Sequence, residues 1–191
     1  MHSDLAKTSD IASAAMAFAG NGPVELVGAK GRFHVKCFDA DGNLKWEEES
    51  PNLVVNVGLQ DMNTKYFSGS SYTAAWYLGL VTGPGSGVTY AASDTLASKS
   101  WTEFTNYTGN RKLVTFGTAT TADPSVISNS ASQAAYTISG AGGTVAGAFL
   151  CTVSTGTSGT LFSEGNFTGG DKIVASGDTL NVTYTFNADA V

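Results

Sequence analysis

The feature that most constrains the fold is a strict alternation of side chains close to the C-terminal end. Leu180, Val182, Tyr184 and Phe186 are separated from one another by single polar residues. Successive side chains of a β-strand point to opposite faces, so this period of two places the apolar side chains on a core. The other face carries the polar side chains. The segment therefore predicts a half-buried strand of a sheet.

This strand closes a block of three apolar segments, residues 144–152, 160–167 and 172–186. The last segment is predicted to be a hairpin that reverses at Ser176, Gly177 and Asp178, because glycine adopts the positive φ of tight turns. Strand-sized segments separated by turn residues recur through most of the chain, which is typical of a β-sandwich or barrel. We predict a mainly β fold, with an antiparallel β-sandwich or jelly-roll-like body and one short helix.

Two further elements are predicted upstream. Residues 31–50 form a hairpin whose turn spans residues 39–42, with Gly42 in the left-handed region. Residues 53–67 have the best helical spacing, with an apolar stripe of Leu59, Met62 and Tyr66 that is expected to dock on the sheet. Asn56 is the expected N-cap of this helix.

Residues 73–81 are predicted to form a hydrophobic strand. In it Trp76 and Leu78 face one way and Tyr77 faces the other.

The N-terminal residues differ in composition from the rest. Residues 1–24 are rich in alanine and end at the break Asn21-Gly22-Pro23, so we predict an N-terminal arm over 1–24 and a β-sandwich domain over 25–191. Two interpretations of the arm are open. It is either a tail without fixed structure or an arm that folds onto a neighbouring subunit.

Charge and hydropathy exclude two classes of partner. The formal net charge is −6, whereas a nucleic-acid-binding surface is basic, so no nucleic-acid partner is expected. No apolar run approaches the ~20 residues that span a bilayer, so no membrane partner is expected.

The residues that could carry catalysis are sparse. The chain has two histidines, His2 and His34, and no G-x-S-x-G motif. No metal site and no cofactor are expected, because the cysteines and histidines lack paired ligand spacing. Cys37 and Cys151 are predicted to be buried free thiols, with a disulfide as the alternative.

Glu103 and Glu164 are isolated acids among apolar residues. Each could act as the general acid of a hydrolase, but a structural role is favoured.

Several short motifs, in order, resemble a known family: GRFHVKCFDADGNLKW at 31–46, NLVVNVGL at 52–59, WYLGL at 76–80, WTEF at 101–104, GAFL at 147–150, GTLF at 159–162 and VASGDTLNVTYT at 174–185. This order resembles the small virion structural proteins of tailed bacteriophages, and among them the head decoration (cement) proteins. The resemblance covers nearly everything except the arm.

The resemblance implies a non-enzymatic protein with no catalytic residues to carry over. It implies a homo-oligomer, with a trimer expected, that binds the outside of the capsid at joints between subunits of the major capsid protein and stabilises the head. The expected location is the capsid surface of the virion, and the host cytoplasm during assembly. The candidate interface residues are Leu5, Ile11, Met16, Phe18, Trp76 and Trp101, and for both tryptophans a place in the core is the favoured alternative.

Two other functions are open. One is a tail, baseplate or fibre subunit, with a carbohydrate-binding face built from Trp76, Tyr77 and Trp101. The other is a small secreted β-sandwich hydrolase that uses Glu103 or Glu164.

Overall fold

The computed structural model describes residues 27–69, 72 and 75–190. The predicted arm therefore lies outside the described residues, together with Leu5, Ile11, Met16 and Phe18. The elements in chain order are β1 (Val27–Phe38), β2 (Leu44–Pro51), β3 (Leu53–Val54), α1 (Asn56–Phe67), β4 (Tyr77–Thr82), β5 (Glu103–Phe104), β6 (Lys112–Leu113), β7 (Ser125–Ser128), β8 (Ala134–Thr137), β9 (Gly143–Cys151), β10 (Leu161–Asn166), β11 (Lys172–Val174) and β12 (Thr179–Ala190).

These strands form two antiparallel sheets. The first has the order β2-β1-β12-β7, and β8 pairs with β12 end to end with β7. The second has the order β3-β10-β9-β4-β5, with β11 added on β9 and β6 on β4. The prediction of a mainly β, antiparallel sandwich is confirmed.

The alternating strand forms the centre of the first sheet. β12 pairs with β1 along its whole length, from Val27 opposite Ala190 to Phe38 opposite Thr179. Its apolar side chains Leu180, Val182 and Tyr184 are almost fully buried between the sheets. Hydrogen bonds between the sheets cross this core: the hydroxyl of Tyr136 donates to the backbone carbonyl of Leu78 at 2.6 Å, and Ser163 Oγ donates to the hydroxyl of Tyr184 at 3.2 Å.

The predicted hairpin over residues 172–186 is wrong. β11 pairs with β9 in the second sheet, whereas β12 belongs to the first sheet, so residues 175–178 cross between the layers. Gly177 has the expected positive φ of 89°. The buried carboxylate of Asp178 holds the crossing, since it accepts hydrogen bonds from the Ala175 N–H at 2.8 Å and from Lys45 Nζ at 2.6 Å.

The predicted hairpin over 31–50 is present as β1 and β2, with Gly42 at φ 86°. The predicted helix begins three residues later than the pattern suggested, because Leu53 and Val54 pair with β10 as β3. Val55 is the N-cap, without a side-chain cap, and Asn56 is the first helical residue. The expected docking of the helical stripe is also wrong, since Tyr66 is 80% exposed and Met62 37% exposed.

A third layer covers the outer face of the second sheet. Residues 83–102, which we call the strap, contain no regular helix or strand. Side chains alternate along β9, so Phe149 faces away from the inter-sheet core that holds Ala148 and Leu150. Leu96 and Trp101 of the strap pack against Phe149 in this second apolar cluster. The strap gives the outer face of this sheet an apolar core of its own.

Candidate functional site

An apolar cleft opens at the end of the sandwich where α1 lies. Its volume is about 340 Å³. Both sheets contribute to its floor, through Ile127, Tyr184 and Phe186 of the first and Leu150 and Phe162 of the second. The helix and the loops beside the strands supply its walls: Asp61, Met62, Lys65, Tyr66, Tyr72, Trp76 and Phe116. The cleft is thus an opening into the inter-sheet core.

The charged groups at the cleft are paired with each other. Lys65 Nζ lies 2.6 Å from Asp61 Oδ2 on the preceding turn of α1. The same ammonium lies 4.2 Å from the ring centre of Tyr72 and 5.5 Å from that of Trp76. A cation over aromatic faces is stabilised by the ring quadrupoles. Lys65 is therefore neutralised and held against the wall, which leaves the cleft apolar.

Exposed aromatic side chains surround the mouth of the cleft. We call Met62, Tyr66, Phe67 and Tyr72 the aromatic face. Tyr66 and Phe67 are 80% and 79% exposed, and their rings meet edge to face with centroids 4.9 Å apart. Neighbouring helical residues point about 100° apart, and here neither side chain of the pair docks on the sheet. The adjacent aromatic pair at the helix end was the signal that the periodicity argument missed.

Gly58 explains why the N-terminal half of α1 docks on the second sheet. A Cβ at this position would lie 2.8 Å from the Cα of Phe162, so only glycine lets the first turn approach β10 this closely. Gly58 is the buried residue of the helix. The N-terminal turn is thus fixed to the second sheet, while the C-terminal turns extend past it with their aromatic side chains uncovered.

The two tryptophans of the candidate interface lie on opposite faces of the second sheet. Trp76 is half-buried in the cleft wall and packs edge to face on Phe162, with ring centres 5.2 Å apart. Trp101, near the end of the strap, is 4% exposed, with its ring 4.6 Å from that of Phe149. Tyr77 packs against the cluster that contains Trp101, not beside Trp76. The structure therefore does not bring these three residues together as one carbohydrate-binding face.

Glu164 lies in the same outer cluster and is 0% exposed. Its Oε2 accepts a hydrogen bond of 2.6 Å from Trp101 Nε1, and its Oε1 is buried with no donor among the described residues within bonding distance. Burial raises the pKa of Glu164 to about 8; the Trp101 bond opposes the rise and Asp94 of the strap adds to it. The carboxyl is thus sealed from solvent and from any substrate outside the strap.

Glu103 has a structural partner as well. Both of its oxygens accept from Arg111, at 2.9 Å from Nε and 2.7 Å from Nη2. The remaining donors of this guanidinium reach the carbonyls of Val153 and Gly156. Glu103 and Arg111 thereby fasten the loop that follows β9.

The acidic run at residues 47–49 is divided by the pleat of β2. Glu47 and Glu49 are exposed and pair with cations of β1, as expected for a solvated edge. Glu48 points inward, where the Gly169 N–H, Thr168 Oγ1 and Lys172 Nζ hold its carboxylate. One of the three glutamates thus joins the two sheets, which the run of charges did not reveal.

Cys37 and Cys151 are free and fully buried, as predicted. No group of three His, Cys, Asp or Glu side chains within the described ranges could hold a metal ion. None of the helices described is long and apolar enough to cross a bilayer.

The chain shows no significant match to a protein-family model, a curated protein or a solved structure.

Proposed function

We propose that this chain is a non-enzymatic structural protein of a bacteriophage virion. It binds the outside of the capsid at joints between major capsid protein subunits, as a homo-oligomer, and stabilises the head. The motif order that resembles head decoration proteins supports the virion assignment. A trimer is the expected assembly.

The aromatic face is the observation that carries the docking role. Exposed aromatic side chains that adjoin an apolar cleft are typical of protein–protein contacts, whose energetic centres are enriched in large aromatic residues. Tyr66 and Phe67 lie at the end of a helix whose other end is fixed to the sheet, so they are presented on a firm support. A preorganised patch loses little conformational entropy when it binds.

The environments of Glu103 and Glu164, the two acids that a hydrolase would need, support a structural role for the protein. Glu164 is enclosed by the strap and Glu103 is held by Arg111. Neither carboxylate lines the cleft. A binding function therefore uses the surface that the fold exposes. Catalysis would need the carboxylates of Glu103 and Glu164, which already have structural partners.

The location is tested by cryo-electron microscopy of the parent particle. Density that fits the sandwich over capsomer joints is the expected result. Density confined to the tail or baseplate would support the alternative of a tail subunit and overturn the head assignment.

The docking surface is tested by binding of purified variants to particles that lack this protein. Replacing both Tyr66 and Phe67 by serine should weaken binding by about tenfold or more, since truncated hot-spot side chains commonly cost over 1 kcal/mol each. The matched control replaces Leu113 and Ile173, which are 59% and 75% exposed on strands away from α1. Equal binding by both double variants would show that the aromatic face is not the contact.

A further inference from the structure

The cleft has a candidate occupant in the chain itself. We propose that residues 11–18 of one copy insert into the cleft of a second copy, so that the oligomer is held by exchanged N-terminal segments. This inference rests on the self-assembly included in the proposed function and names the contact that produces it.

The chemistry of the two surfaces matches. Residues 11–18 read Ile-Ala-Ser-Ala-Ala-Met-Ala-Phe, and no charged residue occurs between Ile11 and Val24. The cleft is lined almost wholly by apolar and aromatic side chains, and its two charged groups neutralise each other. An uncharged segment with large side chains at Ile11, Met16 and Phe18 buries apolar area there without desolvating an unpaired charge.

The size of the cleft suits such a segment. Its volume of about 340 Å³ is at the lower end of the range for small-ligand pockets, about 300–1,000 Å³. A few apolar side chains fill this space, whereas a folded element would not enter it.

The direction of β1 favours a neighbouring copy over the same chain. Phe186 of the cleft floor pairs with Gly31, and the sheet continues four residues further to Val27 opposite Ala190. At about 3.3 Å per residue, Val27 lies ~13 Å along β1 from Gly31, on the side away from Tyr184 of the cleft floor. The described chain therefore enters β1 at a point beyond its own cleft.

The segment is joined to β1 by a long connection. The eight residues 19–26 span up to about 26 Å when extended. Pro23 disfavours the helical region for Gly22, which promotes an extended course. In a closed oligomer each copy gives one segment and receives one, so each contact is strengthened by the effective concentration of the others.

Cysteine crosslinking in the full-length chain tests the exchange. One population carries Phe18→Cys and the other Met62→Cys, a cleft residue that is 37% exposed. After mixing and mild oxidation, we expect disulfide-linked pairs of one chain from each population.

Ile173→Cys replaces Met62→Cys in the matched control, because β11 joins β9 at Val145 while the cleft contacts β9 at Leu150. We expect at least about tenfold less crosslinking there, because proximity in the oligomer sets the effective concentration. Similar yields in both mixtures would overturn the proposal.

A chain that carries both Phe18→Cys and Met62→Cys distinguishes exchange from folding back. Exchange predicts that an excess of wild-type chains suppresses the crosslink, because most partners then lack a cysteine at the contact. An intrachain disulfide that survives this dilution would show that the segment returns to its own cleft, and would also overturn the proposal. Wild-type protein alone should form no crosslink, since Cys37 and Cys151 are fully buried.

Particle binding separates this inference from the proposed function. Crosslinked oligomers that do not bind any part of the virion would leave the exchange intact and overturn the decoration role. Particle binding without crosslinking would leave the decoration role intact and overturn the exchange.

Discussion

Trp101 and Glu164, 63 positions apart in the chain, share a buried hydrogen bond of 2.6 Å between the indole Nε1 and the carboxylate Oε2. The bond fastens the end of the strap to the outer face of the second sheet. The same carboxyl is fully buried, and Asp94 of the strap is among the groups that raise its pKa. Stability should therefore depend on the protonation of Glu164.

The folded protein should lose stability as pH rises. The folded-state pKa of Glu164 is raised from 4.5 to about 8, chiefly by burial, so the folded state binds the proton more tightly than the unfolded state. The stabilising effect of the proton is fully present below pH 4.5 and disappears as pH increases to about 8. At about 1.4 kcal/mol per pKa unit, the loss amounts to a few kcal/mol.

Urea unfolding at several pH values between 5 and 8.5 measures this effect. Glu164→Gln is the control, because it retains the shape of the side chain without the titration. The difference between wild type and variant should change across this interval. A constant difference would mean that Glu164 titrates normally and that its burial has no such consequence.

Trp101→Phe should destabilise the protein by about 1–3 kcal/mol, because it removes the donor and leaves a buried acceptor unpaired. Combining it with Glu164→Gln gives a double-mutant cycle. If the indole acts through the carboxylate, the two effects will be smaller together than their sum. Additive effects, measured from urea midpoints, would show that Trp101 contributes by packing alone.

Gly79→Ala should destabilise the protein by about 1–3 kcal/mol through overpacking. Gly79 lies directly opposite Phe149 in the β4–β9 pair, and an added Cβ would overlap the aromatic ring. The ring cannot withdraw, because Trp101 and Arg111 pack against it.

Gly117→Ala is the matched control for Gly79→Ala. An added Cβ there would meet the Ser128 carbonyl at an ordinary 3.5 Å, so an effect within about 0.5 kcal/mol is expected. Thermal or urea unfolding of both variants checks the contrast, and equal stabilities would refute it.

Both cysteines should resist alkylation in the folded protein. Burial and the neighbouring Asp178 raise the pKa of Cys37 to about 12, and burial raises the pKa of Cys151, so the reactive thiolates are scarce near neutral pH. Mass spectrometry after iodoacetamide treatment at pH 8 should find neither residue modified without denaturant and both modified in urea. Rapid labelling of the native chain would indicate that one strand opens locally.

Periodicity predicted the elements that repeat one pattern over many residues. The alternation at Leu180–Phe186 placed β12 on the core, and the turn at Gly42 fixed the β1–β2 hairpin, because both depend on local backbone geometry. The same local reasoning gave buried cysteines and opposite faces for Trp76 and Tyr77.

The alternation within a strand does not reveal which strands pair with each other. A strand's alternation states which side chains are buried but not which strand lies beside it, so β11 and β12 were predicted as a hairpin although they join different sheets. The outward course of α1 likewise depends on Gly58 meeting Phe162, a contact between residues that are far apart in the chain.

The sequence by itself therefore determined the β class, the core-facing strand and the absence of a G-x-S-x-G motif. Only the tertiary structure decided that the helix exposes its aromatic side chains, that the sandwich opens into an apolar cleft, and that the strap seals Glu164. These features arise where side chains from different layers meet, and the free energy of such contacts depends on burial in three dimensions, which no local pattern records.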